Sequence, residues 1–386
     1  MPINTRAALL AAAAVLAVSG CNAGGTVPSS APGANSPSAV SSQADRAESP
    51  ADTTSILKLL TKDVLIGSTV DPTNGDTGPR AISIAPGSSG KMKKGDLLVC
   101  NFDDASGTVG NGTTIELLPN APSSSPSTFV QSSKIEGCDG DAIASDDEVY
   151  ATGLTSKLMV LLSPTGAVKK SYGSPLTDPL GNGAAPPPPQ SSYASEYIFV
   201  GNADTGAIDS ISIGQYGTKK LLEVVKGFGV KGSGWRALGP SAFVYQSKKK
   251  AQVLYVADGA CNAVVAIQNP DSLLEKDEIT VQPGCKSFTC LHPKVTCATL
   301  VKAGPPLKSP VAETLLPNGN LIVANTKDGN TLVEMTPTGQ VLDTKVVDTS
   351  KTAAVFGLMA TGTSDSNTAL YYTDANSNTL QELEQP

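Results

Sequence analysis

The sequence is poor in histidine, in aromatic residues and in positive charge. His292 is its single histidine among 386 residues, which excludes a metal site built from several imidazoles, such as catalytic zinc or facial-triad iron. The 35 acidic residues outnumber the 28 basic ones, so an acidic net charge of −7 argues against a nucleic-acid partner. Aromatics make up only 4%, whereas Gly (37) and Pro (28) are plentiful and indicate many turns.

One apolar stretch stands at the N-terminus, where residues 7–18 read AALLAAAAVLAV after Arg6. The run is too short for a membrane-spanning helix, which needs about 20 residues, but it has the length of a secretory apolar core. It ends in Val18-Ser19-Gly20-Cys21, which resembles the bacterial lipobox. The resemblance implies cleavage of the signal peptide (residues 1–20) and lipidation of Cys21.

The lipid chains would anchor the protein to a membrane of the bacterial cell envelope. Asn22 follows the lipidated cysteine, and the resemblance to Gram-negative lipoproteins then favours the outer membrane, with the protein facing the periplasm. Residues 22–54 are rich in Ser, Ala, Pro and Gly without apolar periodicity, so residues 21–54 are predicted to form a lipidated, disordered tether. No further long apolar segment follows.

From residue 55 onward the sequence repeats. Six dense apolar runs, each expected to be a strand, end at intervals of 49 to 67 residues: DLLVCN (96–101), EVYAT (148–152), YIFVGN (197–202), VLYVAD (253–258), LIVAN (321–325) and LYYTD (370–374). A weaker apolar stretch precedes most of them, and another follows each. Short strands repeated about every 50 residues predict an all-β, six-bladed β-propeller over residues 55–386.

The dense runs do not alternate with polar residues, which fits second strands covered on both faces by neighbouring blades. The sixth unit stops after its third strand, while SILKLLTKDVLIG (55–67) precedes the first unit without a blade of its own. We therefore predict that this N-terminal segment completes the last blade and closes the ring, which removes exposed sheet edges.

Two units carry a family resemblance, through Leu254-Tyr255-Val256-Ala257-Asp258 and through the stretch from Pro317 to Asn325. These motifs resemble the NHL and strictosidine/gluconolactonase-like superfamily of six-bladed propellers. The resemblance supports the fold more than any activity.

Six cysteines remain after Cys21, an even number that predicts disulfides in an exported protein. In the propeller, Cys100 ends a second strand and Cys138 precedes the next blade on the same face, so these two are predicted to pair. Cys261 should pair with one of Cys285, Cys290 and Cys297, and the other two should close the 282–304 insertion. A competing hypothesis is a zinc site whose ligands are Cys261, Cys285, Cys290 and Cys297, with His292 as a further candidate ligand. Their spacing differs from that of paired zinc knuckles.

The loops after the second strands are rich in Asn and Asp, and they should all emerge on one face. Oxygen ligands of this type suit Ca²⁺ or another divalent cation. The gluconolactonase-like enzymes hold such an ion on the propeller axis, and the resemblance nominates these metal ligands: Asp104, Asn202, Asp204, Asp258 and Asn325. The competing interpretation is that these residues only form tight turns.

A Ser-His-Asp triad would need His292, which lacks a GxSxG context, and a virginiamycin-lyase-like mechanism would need a histidine on the axis, which no position offers. The sequence therefore predicts an envelope lipoprotein whose propeller binds or scaffolds an unidentified protein or small molecule. The alternative is a divalent-metal-dependent hydrolase or lactonase acting at the central mouth.

Overall fold

The computed structural model describes residues 52–186, 196–214, 220–248, 251–327 and 329–386. The predicted signal peptide, the lipidation site at Cys21 and most of the predicted tether lie outside these ranges. Within them, no helix is long and apolar enough to cross a membrane. The described residues form β-sheets with four short 3-10 turns: Ser133–Ile135, Gly234–Arg236, Pro270–Ser272 and Asp365–Asn367.

Six sheets of at least four strands each form the blades, which confirms the predicted all-β, six-bladed propeller; their strands pair antiparallel except for one parallel pair in blade three. Strand β1 (Lys62–Ser68) comes before the first blade. Blade one contains β2 (Thr77–Ile84), β3 (Leu97–Asp103), β4 (Thr114–Leu118) and β5 (Ser127–Gln131). Blade two contains β6 (Cys138–Ile143), β7 (Val149–Gly153), β8 (Leu158–Leu162) and β9 (Val168–Tyr172).

Blades three and four are the irregular ones. Blade three contains β10 (Pro179–Ala185), β11 (Glu196–Asn202), β12 (Ala207–Ile213) and β13 (Leu222–Lys226), and it is widened by a later hairpin, β17 (Ile279–Val281) and β18 (Phe288–Cys290). Blade four contains β14 (Pro240–Lys248), β15 (Ala251–Asp258), β16 (Ala263–Gln268) and β19 (Cys297–Ala303). The segment predicted to be an insertion, 282–304, thus supplies the outer strand of blade four.

The last two blades complete the ring. Blade five contains β20 (Pro310–Leu315), β21 (Leu321–Asn325), β22 (Thr331–Met335) and β23 (Val341–Val346). Blade six contains β24 (Leu358–Thr361), β25 (Ala369–Asp374) and β26 (Thr379–Glu384), and its outer strand is β1. β1 runs antiparallel to β26, with Lys62 opposite Glu384 and Ser68 opposite Thr379.

The core is divided into separate apolar clusters between neighbouring blades, which explains the dense runs of the second strands. In β3, Leu97 and Val99 face blade six, whereas Leu98 and Cys100 face blade two. All four side chains are fully buried. Burying a leucine stabilises the fold by about 1.5–3 kcal/mol, so both faces of the strand contribute.

A turn ahead of β1 is held on the junction between blades five and six. Glu334, which is fully buried, accepts hydrogen bonds from the backbone N–H groups of Ile56 (3.1 Å) and Leu57 (2.8 Å) and from the Ser55 hydroxyl (2.7 Å). The side chains of Ile56, Leu57 and Leu60 are fully buried in the cluster between the two blades. The segment before the ring therefore adds to its core.

Candidate functional site: the axial cavity

The first strands of the six blades surround a cavity of about 850 Å³ on the propeller axis. This volume lies within the range of about 300–1,000 Å³ that is usual for small-molecule sites. Its wall is mostly apolar and includes Ile82, Ala142, Phe243, Val244, Val311 and Leu358.

The blades differ in one residue of their first strands. This residue pairs with the middle of the second strand, and its side chain faces the preceding blade. Three blades place an apolar side chain there, and three place a polar one: Ile82, Phe243 and Leu358, against Asp141, Asn182 and Glu313. The wall thus combines apolar surface with a few polar groups, as ligand sites do.

The two buried carboxyl groups at this position have raised pKa values. The Ser83 hydroxyl donates to Oδ2 of Asp141 at 2.7 Å, yet burial outweighs this bond and raises the pKa of Asp141 to about 7. Burial also raises the pKa of Glu313 well above its ordinary value, despite the nearby backbone amide of Ala257. Both groups therefore favour the protonated form more than an exposed carboxyl group does.

Arg80, on β2, lies at the mouth of the cavity on the side of the second-strand loops. Its guanidinium carbon is 3.7 Å from the ring centroid of Phe102 and 4.1 Å from that of Phe356, so the cation packs against two aromatic rings. Nη1 donates to Oδ1 of Asp139 at 3.4 Å. Only 13% of the Arg80 side chain is exposed.

The acidic neighbours of Arg80 are themselves partly or fully buried. Burial, only partly offset by Arg80, raises the pKa of Asp139 to about 6. Burial also raises the pKa of Asp103, again against the influence of Arg80. The carboxyl groups that face the positive charge of Arg80 therefore have pKa values above the ordinary value of an aspartate.

Trp235 and Arg236 form part of the rim of the same cavity. The Arg236 guanidinium carbon lies 4.2 Å from the centroid of the Trp235 ring, and 45% of Trp235 is exposed. Trp235 is the only tryptophan of the chain. It is therefore a natural optical reporter for events at this rim.

The predicted metal ligands are spread around the ring, and none of the five lines the cavity. Asp104 is half-buried and accepts hydrogen bonds from Ser106 and Thr108 within its own loop, which lowers its pKa to about 2. Asp204 is exposed in the loop after β11.

The other three candidates, all buried, bind backbone groups. Asn202 accepts hydrogen bonds from the Thr177 and Asp178 amides, and Asn325 accepts one from the Lys308 amide. Asp258 accepts from the Ala260 and Cys261 amides through Oδ1 and from the Gly229 amide through Oδ2.

Each of the three holds the segment that leads into the first strand of its own blade; Asp258, which also fixes its own turn through Oδ1, does so through the Gly229 amide. Asn101 of blade one does the same by donating to the Thr69 carbonyl at 2.8 Å. Within the described ranges, the five candidates therefore do not fit a common ion on the axis.

The cysteines form three disulfides, as predicted: Cys100–Cys138, Cys261–Cys285 and Cys290–Cys297. The competing zinc hypothesis places its ligands here, and the ligand atoms of Asp258, Cys261 and Cys285 do lie within 4.8 Å of one another. The sulfurs of Cys261 and Cys285 are however joined in a disulfide, so neither can act as a thiolate ligand. His292 lies apart from this group, 4.0 Å from Glu275.

The site residues that the sequence analysis missed are Arg80, Phe102 and Phe356. They come from blade one and from the loop before blade six, so no local motif joins them. The scarcity of arginine is a usable signal: the arginines of the chain are Arg6, Arg46, Arg80 and Arg236, and both that fall in the described residues line the cavity.

Fold and cavity together define a class, the six-bladed β-propellers with a ligand-sized axial cavity. No protein-family model and no curated protein matches the chain. A solved structure of a protein provisionally assigned as a gluconolactonase is 12% identical with a TM-score of 0.52, covering 84% of this chain and 91% of that one. At this identity the likeness concerns the fold alone.

Two further solved structures are similar at lower scores. A gluconolactonase from Xanthomonas campestris is 11% identical with a TM-score of 0.49, covering 81% of this chain and 87% of its own. Virginiamycin B lyase from Staphylococcus aureus is 14% identical with a TM-score of 0.46, covering 83% of this chain and 97% of its own.

Proposed function

We propose that this chain is a bacterial envelope lipoprotein, anchored through Cys21, whose propeller binds a small molecule in its axial cavity. The observation that carries the binding role is the cavity of about 850 Å³ with a mostly apolar wall and, at its mouth, Arg80, whose side chain is 13% exposed. Such sites bind ligands by apolar burial and orient them through a few polar groups.

The anchor is supported by the sequence alone, through the apolar run and the Val18-Ser19-Gly20-Cys21 motif. The matching experiment is fractionation of cells that express the full chain or its Cys21→Ser variant. We expect the unaltered chain in the outer-membrane fraction and the variant in the soluble periplasmic fraction. Persistence of the variant in the membrane fraction would contradict the anchor.

The binding role is tested by obstructing the cavity. Val311 lines the cavity on β20, and Val311→Trp would place a bulky ring in it. Val346→Trp is the matched control, because Val346 lies on the outer strand β23 and is 56% exposed.

The protein and both variants are incubated with a small-molecule extract of bacteria, re-isolated, and analysed for retained compounds by mass spectrometry. We expect the unaltered protein and the Val346→Trp control to retain the same compound, and the Val311→Trp variant to lose it. If the three proteins retain the same set, the cavity is not the binding site.

A further inference from the structure

Arg80 is held against two aromatic rings with most of its donors unpaired. Its guanidinium carbon lies 3.7 Å from the centroid of Phe102 and 4.1 Å from that of Phe356. Guanidinium carries five N–H donors, all directed outward in its plane. Among the described residues, Asp139 is its one hydrogen-bond partner, at the long distance of 3.4 Å.

Most donors of Arg80 have no partner among the described residues, and none of its nitrogens is fully enclosed without one, so these donors are open to a ligand. The side chain is 13% exposed and lies against two aromatic rings, so the group is held in position in advance of any ligand. Planar, two-pronged acceptors match this edge, and carboxylates are such acceptors.

The charge around Arg80 selects for a ligand that carries a single negative charge. Asp139 and Asp103 are its acidic neighbours, and both reduce the positive potential at the mouth. A dianionic phosphate would face these carboxylates, whereas a monoanion meets one cation with less repulsion.

The surface next to Arg80 is apolar. Leu180 and Ala237 line the cavity and belong to a buried cluster that also contains Phe102. Further along the axis the wall continues with Ile82, Phe243 and Leu358. A ligand that reaches past Arg80 therefore buries apolar surface.

We propose that the cavity binds an organic monocarboxylate with an apolar body, and that Arg80 pairs with its carboxylate at the mouth. This inference rests on the proposed function, since it names the class of ligand for the same cavity. It assigns the charge selectivity of the site to Arg80.

The test uses three probes that share a ten-carbon chain and differ in charge: decanoate, decanol and decyltrimethylammonium. Binding to the full chain carrying Cys21→Ser, which avoids detergent, is measured by calorimetry and by the fluorescence of Trp235. A charge-assisted pair contributes enough to change affinity by about 10-fold or more. We expect decanoate to bind at least about 10-fold more tightly than decanol, and decyltrimethylammonium most weakly.

Arg80→Met should abolish this preference and leave the affinity for decanol unchanged, which also shows that the variant is folded. Arg80→Lys keeps the charge without the planar edge, and should retain only part of the preference. The matched control is Lys170→Met, which removes a positive charge from the outer strand β9, away from the cavity, and should change decanoate binding less than about two-fold.

Equal binding of the three probes would overturn the monocarboxylate inference and leave the cavity as a binding site. An Arg80→Met variant that keeps the full preference for decanoate over decanol would also overturn it. If none of the probes binds, the inference fails, and the Val311→Trp retention experiment decides separately whether the cavity binds any small molecule.

Discussion

The disulfide between Cys100 and Cys138 links the second strand of blade one to the first strand of blade two. Its cysteines are 38 positions apart, and both side chains are fully buried. In the chain-entropy description, a cross-link that closes a loop of this length stabilises the fold by about 4 kcal/mol. We expect the double variant Cys100→Ala/Cys138→Ala to lose about that much free energy of unfolding.

The bond between Cys290 and Cys297 is the matched control, because its cysteines are only 7 positions apart. The same relation gives about 2.3 kcal/mol for this loop. Urea unfolding of both double variants without reductant, followed by circular dichroism, compares the two losses. If removing the Cys290–Cys297 bond costs as much as removing the Cys100–Cys138 bond, loop length is not the source of the stabilisation.

Three other outcomes are expected. Glu334→Ala removes the acceptor that holds residues 55–57, so trypsin should cleave after the exposed Lys58 at least about 10-fold faster. An unchanged cleavage rate would show that Glu334 does not hold this segment on the ring. Because Asp141 binds its proton more tightly in the folded state, its contribution to the free energy of unfolding should fall as pH rises from about 4 to about 7. Asp141→Asn should remove a slope of up to about 1.4 kcal/mol per pH unit, measured by urea unfolding at several pH values. Decanesulfonate, which stays ionised, should bind more tightly at pH 5.5 than at pH 7.5, because Asp139 beside Arg80, whose pKa is raised to about 6, becomes protonated. Calorimetry with Asp139→Asn should show a smaller difference.

The second strands were predictable because each is buried on both faces, which concentrates apolar residues in a short run. All six dense runs of the sequence became second strands, from β3 to β25. The pairing of Cys100 with Cys138 followed from the same register, since the end of a second strand and the start of the next blade share a face.

The first strand of blade three was not predictable from its residues, PLGNGAA, because glycine is rare in strands. Its glycines permit close packing against blade four. A Cβ atom on Gly183 would lie 2.6 Å from Cβ of Phe243, and one on Gly181, where φ is +69°, would lie 1.8 Å from the Ser241 carbonyl oxygen. These are contacts between blades, which a local pattern does not report.

The outer strand of blade four was hidden for a different reason. Residues 269–296 separate β16 from β19, and the hairpin of β17 and β18 pairs instead with blade three. Likewise the Arg80 site depends on Phe356, which lies far away in sequence and approaches only once the ring has formed. Repeated sequence patterns thus predicted the blades, whereas the Arg80 site arises from contacts between residues that are distant in the sequence.

The pairing of β1 with β26 has a consequence for the biosynthesis of the protein. Lys62 and Glu384 lie side by side although 322 positions separate them, so blade six stays incomplete until nearly the whole chain is available. Contacts of this range slow folding. A product that stops short of β26 would expose unpaired strand edges, which are signals for aggregation and proteolysis. The pairing of β1 with β26 is therefore a structural difference between chains that include β26 and shorter products that lack it.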